Sequence, residues 1–490
     1  MNFKMMGRFI AQILSIEGFF MLPALLISLS HGEDMAVKGF LVALAAIGVG
    51  VLSLSLICRG APSAFYAKEG LVCVGASWIA MSLAGCLPFW VSREIPVFID
   101  AFFEIVSGFT TTGASILPEV ESLSKGILYW RSFSHWLGGM GVLVFLLAFT
   151  GGKGQGFTMH LLRAESPGPN VGKLVPKMRT TAAILYIIYV ILTILNILFL
   201  WMGDMPLFDS VCHAFGTAGT GGFGIKNDSF TSYSPYLQNV TTVFMILFGV
   251  NFSCYYLLLI REWKSVIRDE ELRTYFCIIL ASVALIVWNT RGLYGTLEET
   301  IRHAAFQVAS LMTTTGYATA DFDLWPSFSK TILLCLMVVG ACAGSTGGGL
   351  KVGRAMLIFK SLGRNIRQVM KPRKVMAVRN NGLVVPEKVL DNTNAYLSAY
   401  IIILFFSFLL ISLDGFSTGT NFSAILACFN NIGPGLEVVG PLGNYAAFSP
   451  WAKILLSFDM LAGRLELFPM LLLFAPSIWK RRRVRHSSEH

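Results

Sequence analysis

Four short loops with a shared spacing are the part of this 490-residue sequence best suited to chemistry. Each has a small residue followed six positions later by a glycine, with threonine, asparagine or glycine among the three residues before that glycine. The loops occupy residues 107–113, 216–222, 310–316 and 427–433. Chance explains one such loop, but four in phase indicate an internal repeat.

Backbone carbonyl oxygens in such loops can replace the hydration shell of a monovalent cation. Glycine permits the positive φ that points carbonyls toward a common axis, and threonine hydroxyls can add oxygen ligands. Close helix packing through small residues is the alternative, but it does not explain a Thr-Thr-Thr-Gly sequence that occurs twice. The loops therefore predict a cation site built mainly from backbone.

The elements that must position these loops are membrane helices. Charged residues make up 13% of the chain, against roughly 25% in soluble domains, and apolar residues make up 54%. We predict an all-α polytopic membrane protein, because ten apolar windows approach the roughly 20 residues that cross a bilayer as a helix. These windows are 9–30, 39–58, 70–92, 126–150, 180–203, 236–260, 274–292, 331–360, 393–414 and 451–478.

Four shorter apolar stretches precede the four loops, at 97–109, 206–218, 300–312 and 419–429. They are too short to cross a bilayer, so we predict re-entrant half-helices. Irregular backbone at this depth requires buried protein or a water-filled cavity around it, which four loops about one axis provide. The negative C-terminal ends of the half-helix dipoles would then favour a cation.

The charges predict the orientation of the chain. With both termini inside, 28 of the 38 Lys and Arg residues fall on the inner side, which is a strong positive-inside signal. The net charge of +10 therefore reflects membrane topology rather than nucleic-acid binding. Nine scattered cysteines without a Cys-x-x-Cys pair predict no transition-metal site. The sequence contains no HExxH motif and no paired catalytic carboxylates, so we do not predict an enzyme.

The eighth apolar window is interrupted by a glycine-rich run that cannot remain a regular helix. The run lacks the context of a phosphate-binding loop, since Leu350 and Lys351 follow it inside an apolar helix. We predict a flexible intramembrane gate loop, with small-residue packing as the alternative. Its residues are Gly344, Ser345, Thr346, Gly347, Gly348 and Gly349.

Arg464 lies in the last apolar window, where a charge at mid-depth costs at least about 2.5–3.5 kcal/mol. The side chain either faces the pore as an electrostatic barrier to cations or pairs with Glu466 or Asp459. For His135 and His213, which head a span and a half-helix, capping or packing is favoured over proton coupling.

Motifs along nearly the whole chain resemble the TrkH/KtrB/HKT superfamily of potassium transporters, and the bacterial TrkH type within it. They are GFTTTGAS (108–115), HWLGGMG (135–141), RAESPGP (163–169), HAFGTAGTGGFG (213–224), TTTGYAT (313–319), GACAGSTGGGLKV (340–352), NNIGPGLE (430–437) and GRLELF (463–468). The resemblance implies four non-identical M1-P-M2 repeats (span, re-entrant half-helix, span) around a pseudo-fourfold pore, preceded by two extra helices.

In that family, backbone carbonyls at matching positions form the potassium filter. Here those positions are Thr110, Thr111, Thr112, Gly113, Gly219, Thr220, Gly221, Gly222, Thr313, Thr314, Thr315, Gly316, Asn430, Asn431, Ile432 and Gly433. All four filter glycines are present, whereas sodium-preferring plant relatives have serine in place of the first. The second loop and Glu437 depart from the usual bacterial pattern, which affects the expected outer mouth only. The GRLELF match favours a pore-facing Arg464.

The resemblance also implies the domain plan. It consists of two extra N-terminal helices (1–69), pore repeat 1 (70–150), a cytoplasmic loop with repeat 2 (151–273), repeat 3 (274–362), a basic cytoplasmic loop (363–391), repeat 4 (392–479) and a basic tail (480–490).

We therefore expect potassium uptake across the bacterial inner membrane, with cytoplasmic termini. The resemblance implies a homodimer and a TrkA-like nucleotide-binding cytoplasmic subunit, so that NAD or ATP would act only through this partner. We expect no covalently bound cofactor. Passive conduction and coupling to Na⁺ or H⁺ both remain open, and a sodium-permeable member of the same fold is the alternative function.

Overall fold

The computed structural model describes residues 2–60, 67–141 and 178–476. This part of the chain is mainly helical. Its helices are α1 (Phe3–His31), α2 (Asp34–Ile57), α3 (Ala67–Gly85), α4 (Leu87–Val91), α5 (Phe98–Phe109), α6 (Lys125–Gly139), α7 (Met178–Met202), α8 (Leu207–Gly219), α9 (Pro235–Phe248), α10 (Phe252–Leu259), α11 (Trp263–Arg268), α12 (Glu270–Asn289), α13 (Leu297–Met312), α14 (Ser327–Val339), α15 (Val352–Met370), α16 (Glu387–Ile411), α17 (Thr418–Phe429), α18 (Pro450–Arg464) and α19 (Phe468–Leu473).

Some sequence predictions fall outside the described residues. These are most of the predicted cytoplasmic stretch 151–179, the motif at 163–169, the end of the predicted span 126–150 and the tail 480–490.

Six helical segments in the described part are long and apolar enough to cross a membrane. They coincide with the predicted windows 9–30, 39–58, 70–92, 180–203, 274–292 and 393–414. Many of their large apolar side chains are exposed, with Leu26, Val49, Leu280 and Phe405 between 60% and 68% exposed. Since soluble monomers rarely expose such extended apolar surface, these faces are suited to contact with lipid.

The expectation of regular helices in two other windows is corrected by the structure. Residues 236–260 form α9 and α10, which are bent by 88°. At the break, Asn251 has a non-helical ψ of 120°, and its side chain accepts a hydrogen bond from the Ser253 N–H, which caps the new helix. The described part of the window 451–478 is divided into α18 and α19, since Glu466 and Leu467 have φ of 62° and 63°. Hydropathy detects neither change of backbone direction.

Four shorter helices, α5, α8, α13 and α17, coincide with the four short apolar stretches. They contain 12 to 16 residues, too few to cross a bilayer. Two of them begin at side-chain caps: the hydroxyl of Thr296 accepts from the Glu299 N–H, and that of Ser417 accepts from the Thr420 N–H. We refer to α5, α8, α13 and α17 as the half-helices.

The half-helices and the helices that follow them pack in a closed ring. Each half-helix contacts the next helix in sequence: α5 with α6, α8 with α9, α13 with α14 and α17 with α18. Each of these second helices also contacts the following half-helix, so that α6 contacts α8, α9 contacts α13 and α14 contacts α17. The contact between α18 and α5 completes the ring. Helices α1 and α2 lie outside it, packed on α3, α4 and α6.

A short β-hairpin lies in the predicted basic loop 363–391. Strands Arg379–Asn380 and Leu383–Val384 pair antiparallel, with Asn380 opposite Leu383. Asn381 and Gly382 both have positive φ, of 49° and 78°, as the type I′ turn of an Asn-Gly hairpin requires.

Candidate functional site

Each half-helix ends in the same backbone motif at the start of its loop. The second residue of the filter segment has left-handed φ in all four loops: 56° at Thr111, 54° at Thr220, 60° at Thr314 and 57° at Asn431. A helix that ends in one left-handed residue forms a Schellman motif when two hydrogen bonds close over it. Threonine in this conformation is strained, and strain of this kind is concentrated at functional sites.

The two closing hydrogen bonds are present in every loop. In the first loop, the Thr112 N–H donates to Ser107 O over 2.9 Å, and the Thr111 N–H donates to Gly108 O over 3.1 Å. The equivalents of the longer-range bond are Gly221 to Gly216, Thr315 to Ser310 and Ile432 to Ala427, at 2.8–2.9 Å. This bond joins the residue before each filter glycine to the small residue that begins the loop. It gives a structural reason for the six-residue spacing in the sequence.

The four filter glycines connect the loops into a second closed ring. A β carbon on Gly113 would lie 2.0 Å from Gly221 O, one on Gly222 would lie 2.0 Å from Thr315 O, and one on Gly316 would lie 2.0 Å from Ile432 O. A β carbon on Gly433 would lie 2.7 Å from Thr112 O, which returns the series to the first loop. The glycines themselves have φ of 79–94°. Both the contact and the backbone conformation therefore exclude a side chain at these positions.

A polar cavity of about 110 Å³ adjoins the four filter glycines. All four line it, together with Arg131 and Tyr445. The Tyr445 hydroxyl donates to Gly433 O over 2.8 Å, which fixes the last loop from this side. Because a water molecule occupies about 30 Å³ in the liquid, the cavity has room for a few waters or a partly hydrated ion.

A buried ion pair fixes the first two loops beside this cavity. Arg131 and Glu104 are 3% and 0% exposed, with 2.6 Å between Nε and Oε1. Arg131 also donates to Gly224 O over 2.9 Å and lies over the Phe223 ring, 3.6 Å from its centroid. Glu104 accepts from the Ser115 hydroxyl. Sequence reasoning missed this pair, although a charged residue inside each of two apolar segments was the available signal.

His135 lies between half-helix α5 and the second loop. The Phe223 N–H donates to Nε2 over 3.2 Å, and Nδ1 lies 2.8 Å from Gly108 O. Since a backbone N–H can only donate, Nε2 must accept and Nδ1 must carry the proton. This is the neutral tautomer, held on both sides. The arrangement agrees with the packing role that the sequence favoured for this residue.

The outer two threonines of each Thr-Thr-Thr-Gly loop bond to each other. Thr110 Oγ1 and Thr112 Oγ1 are 2.8 Å apart, and so are the hydroxyl oxygens of Thr313 and Thr315. Thr110 also donates to Val106 O over 2.7 Å. These hydroxyls therefore fasten the loop to its own half-helix.

Asparagines provide the corresponding anchors in the fourth loop. Asn430 Nδ2 donates to the Tyr400 hydroxyl over 2.9 Å. Asn431 Nδ2 donates to Thr112 Oγ1 over 3.0 Å and to Met460 O over 2.9 Å. The fourth loop is thus joined to the first by side chains as well as by the glycine contact.

The predicted gate loop is non-helical and lies against the half-helix end of the filter segments. The Gly348 N–H donates to Thr314 Oγ1 over 2.6 Å. A β carbon on Gly348 would lie 2.3 Å from Asn430 O, and one on Gly347 would lie 2.8 Å from Thr313 O. The loop therefore contacts the first residues of the third and fourth filter segments, whereas the last residue of each segment lines the polar cavity.

Arg464 connects the gate loop to the end of α6. Its guanidinium donates to Thr346 O over 2.8 Å, to Gly138 O over 2.6 Å and to Gly139 O over 2.7 Å. The two acids considered as partners contact other groups. Glu466 pairs with Arg354, and Asp459 accepts from the Ser407 hydroxyl over 2.8 Å.

The bend between α9 and α10 also holds the gate loop. The Cys342 N–H donates to Gly249 O and the Phe252 N–H donates to Gly344 O, both over 3.1 Å. The Thr346 hydroxyl donates to Phe248 O over 3.2 Å. The interrupted helix in the second repeat therefore supplies hydrogen-bond partners for the interrupted helix in the third. Hydropathy does not indicate this contact, because the window 236–260 has the hydropathy of one span.

Comparison with known proteins gives one consistent result. The TrkH family, described as "Cation transport protein", matches residues 38–481. The Trk system potassium uptake protein TrkH of Salmonella typhimurium is 37% identical over 420 residues, covering 84% of this chain and 86% of the relative. TrkH of Halomonas elongata is 33% identical over 494 residues, covering 98% and 100%.

A solved structure agrees with these relatives. The crystal structure of the potassium transporter TrkH from Vibrio parahaemolyticus superposes with a TM-score of 0.87 at 29% identity. The match covers 98% of this chain and 100% of that one.

Proposed function

This chain belongs to the TrkH family of cation transport proteins, and on that premise we propose that it takes up potassium through a filter formed by the four loops. Potassium transport by a multi-pass membrane protein agrees with the family and with the apolar helices. The finer proposal concerns the path of the ion and the residues that control it.

One observation carries the filter proposal: the glycine of each loop lies against the backbone carbonyl of the next, in a closed series of four. Four strands of carbonyl-bearing backbone are thereby brought together at one place. Each follows the C-terminal end of a half-helix, where the negative end of the helix dipole favours a cation. Backbone carbonyls are the ligands that replace water around potassium in selective pores.

The filter in this proposal is short. Each segment has four residues, of which the last is the glycine that lines the outer cavity. The first residues of the third and fourth segments lie at the gate loop. A path from the outer cavity would therefore pass the sixteen candidate residues, reach the gate loop and then meet Arg464. With one glycine per loop, we expect potassium to be preferred over sodium less strongly than in a TVGYG channel filter.

We interpret the described conformation as closed. Contacts of Gly347 and Gly348 with Thr313, Thr314 and Asn430 leave the gate loop at the inner end of the filter. The positive guanidinium of Arg464 beside it would repel a permeating cation. Opening would require the loop to leave these residues. The hydrogen bonds from Arg464 to the loop and to α6 oppose that movement.

The remaining architecture and partners belong to the same proposal. We propose ten spans in four repeats after two extra helices, an inner-membrane location with cytoplasmic termini, and a homodimer. The segment 363–391 contains the β-hairpin and many basic residues, which offer a surface for a TrkA-like subunit. A nucleotide would act through that subunit. The coupling ion, if uptake is not passive, would be Na⁺ or H⁺.

Ion uptake by the purified protein tests this function. Proteoliposomes that contain the purified protein are assayed for potassium and rubidium uptake, with sodium as the competing ion. The wild type and Gly113→Ser are compared. We expect potassium-preferring uptake by the wild type and a shift toward sodium in the variant. Equal permeability to both ions in the wild type would support the sodium-permeable alternative. Uptake whose ion preference is unaffected by Gly113→Ser would exclude the filter assignment.

A further inference from the structure

Glu271, in the first turn of α12, binds both ends of the gate loop. Its Oε1 atom accepts hydrogen bonds from the Ala343 N–H over 2.7 Å and from the Gly353 N–H over 2.9 Å. Ala343 precedes Gly344, the first residue of the gate loop, and Gly353 lies in the first turn of α15. One oxygen atom on a separate helix therefore joins the residue before the loop to the start of the helix that follows it.

The start of α15 depends on this carboxylate. The N-cap residue of α15, Lys351, has φ of 77° and provides no side-chain cap hydrogen bond. The first N–H groups of a helix need an acceptor from elsewhere, and the N-terminal end of the helix dipole favours an anionic one. Glu271 supplies an acceptor of this kind to the N–H of Gly353. A β carbon on Gly353 would lie 2.9 Å from Glu271 Oε1, so a side chain at this position would require the carboxylate to shift.

The adjacent carboxylate has different partners. Glu270 pairs with Lys360 and accepts from the Asn381 N–H over 3.1 Å, at the turn of the β-hairpin. It thus fixes the start of α12 to the cytoplasmic hairpin and to the middle of α15. Because Glu271 and Glu270 have different partners, substitutions at each can distinguish the effect of contacts beside the gate loop from the effect of contacts at the hairpin.

We propose that Glu271 is a positioning residue that holds the gate loop against the filter by binding the Ala343 and Gly353 N–H groups. Loss of these bonds removes one attachment on each side of the loop at once, so the loop leaves Thr313 and Asn430 more often and potassium flux rises. The filter carbonyls are not altered, so the preference for potassium over sodium is retained. This inference rests on the proposed function of the loop as a gate.

Flux measurements on two independent variants test the inference. Glu271→Ala removes the acceptor, and Gly353→Ala displaces it from the opposite side. We expect at least about a fivefold rise in potassium uptake per folded protein in each, which corresponds to about 1 kcal/mol. Glu271→Gln should give a smaller rise, because its amide oxygen still accepts hydrogen bonds but without the charge that strengthens them.

Matched controls are available on the same two helices. Glu270→Gln removes the neighbouring charge without touching the gate loop. Gly363→Ala places a β carbon on α15 where no atom lies within 4 Å. Both should leave flux within about twofold of wild type, since neither residue contacts the gate loop and the partly exposed pair of Glu270 with Lys360 contributes little to stability. The potassium-to-sodium ratio is measured for every variant, because general damage to the fold does not raise flux at constant ion preference.

Gly347→Ala separates the two hypotheses, because it alters the gate loop directly at the contact with Thr313. If this variant changes flux while Glu271→Ala and Gly353→Ala match the wild type, the gate stands and the role of Glu271 is wrong. If none of the three changes flux, both the gate and the role of Glu271 are wrong. Should Glu271→Ala not fold, Gly353→Ala decides; reduced flux in that variant would also overturn the proposal.

Discussion

The carbonyl oxygen of Thr315 occupies the position beside Gly222 at which a side chain would begin, 2.0 Å from an ideal β carbon. The two residues belong to successive filter loops. Any side chain at position 222 must therefore push apart two segments that supply the proposed ion ligands.

Gly222→Ala should for this reason abolish selective uptake. The added methyl group displaces the Thr315 carbonyl and strains a backbone with φ of 79°. We expect at least about a tenfold loss of potassium uptake per folded protein, as for a contact worth about 1.4 kcal/mol or more. The measurement is rubidium uptake in proteoliposomes, normalised to folded protein.

Gly32→Ala is the matched control for this variant. Gly32 also has positive φ, of 69°, but nothing lies within 4 Å of an added β carbon. The Gly32→Ala variant should therefore show the effect of backbone strain alone, with a normal ion preference. Equal losses of uptake in Gly32→Ala and Gly222→Ala would show that strain, and not the ring contact, explains the effect.

Arg464→Ala should raise potassium flux. The substitution removes a positive charge beside the proposed path and three hydrogen bonds to Thr346, Gly138 and Gly139. Arg464→Lys should lie between wild type and Arg464→Ala, because lysine retains the charge but lacks the planar fork that reaches several carbonyls. Ion uptake and the amount of folded protein are measured together. A loss of folded protein without faster uptake would assign Arg464 a structural role instead.

Glu104→Ala should strongly destabilise the protein. It leaves the buried Arg131 guanidinium without its carboxylate, and the loss of one partner of a buried pair costs about 3–5 kcal/mol. The apparent Tm in detergent measures this change. Glu298→Ala removes the partner of Arg302 from a pair in which the acid is 63% exposed, and should cost no more than about 1 kcal/mol. Similar Tm values for the two variants would contradict the proposed role of Arg131.

Glu437 should contribute stability that is lost in acid. Hydrogen bonds from the Ser417 and Thr420 hydroxyls hold the pKa of this exposed carboxyl below its usual value of 4.5. Because the folded-state pKa is lowered, the contribution is complete above the unfolded-state pKa and disappears as the pH falls through the folded-state pKa. Wild type should therefore be more stable than Glu437→Gln near pH 7, with the difference shrinking below about pH 4.5.

Thermal unfolding at several pH values checks this expectation, and the ion preference of Glu437→Gln should equal that of the wild type. A stability difference that grows in acid would contradict the assigned direction of the pKa. A changed ion preference would instead extend the filter to the outer loop that contains Glu437.

Several features were predictable because they are repeated locally along the chain. The six-residue spacing from Ser107 to Gly113 occurs four times, and in every loop a backbone hydrogen bond joins the residue before the glycine to the small residue that begins the loop. The half-helices were predictable from the length of their apolar stretches. The break in the helix before Lys351 was predictable from the glycine-rich run 344–349. Membership of the TrkH family followed from motifs that were read directly.

Other features were decided by tertiary structure. The Arg131–Glu104 pair and the two bonds of Glu271 join different segments of the chain. The same is true of the hydrogen bonds between the bend at 249–252 and the gate loop region. The sequence was compatible with two environments for Arg464, facing the pore or paired with an acid. Only the fold shows that its guanidinium donates to the carbonyls of Thr346, Gly138 and Gly139. Hydropathy and spacing record what each segment prefers by itself. Residues that contact each other only after the ring of helices has closed leave no periodic pattern in the sequence. The energy of such a contact depends on the distance between its two groups, and only the folded chain defines that distance.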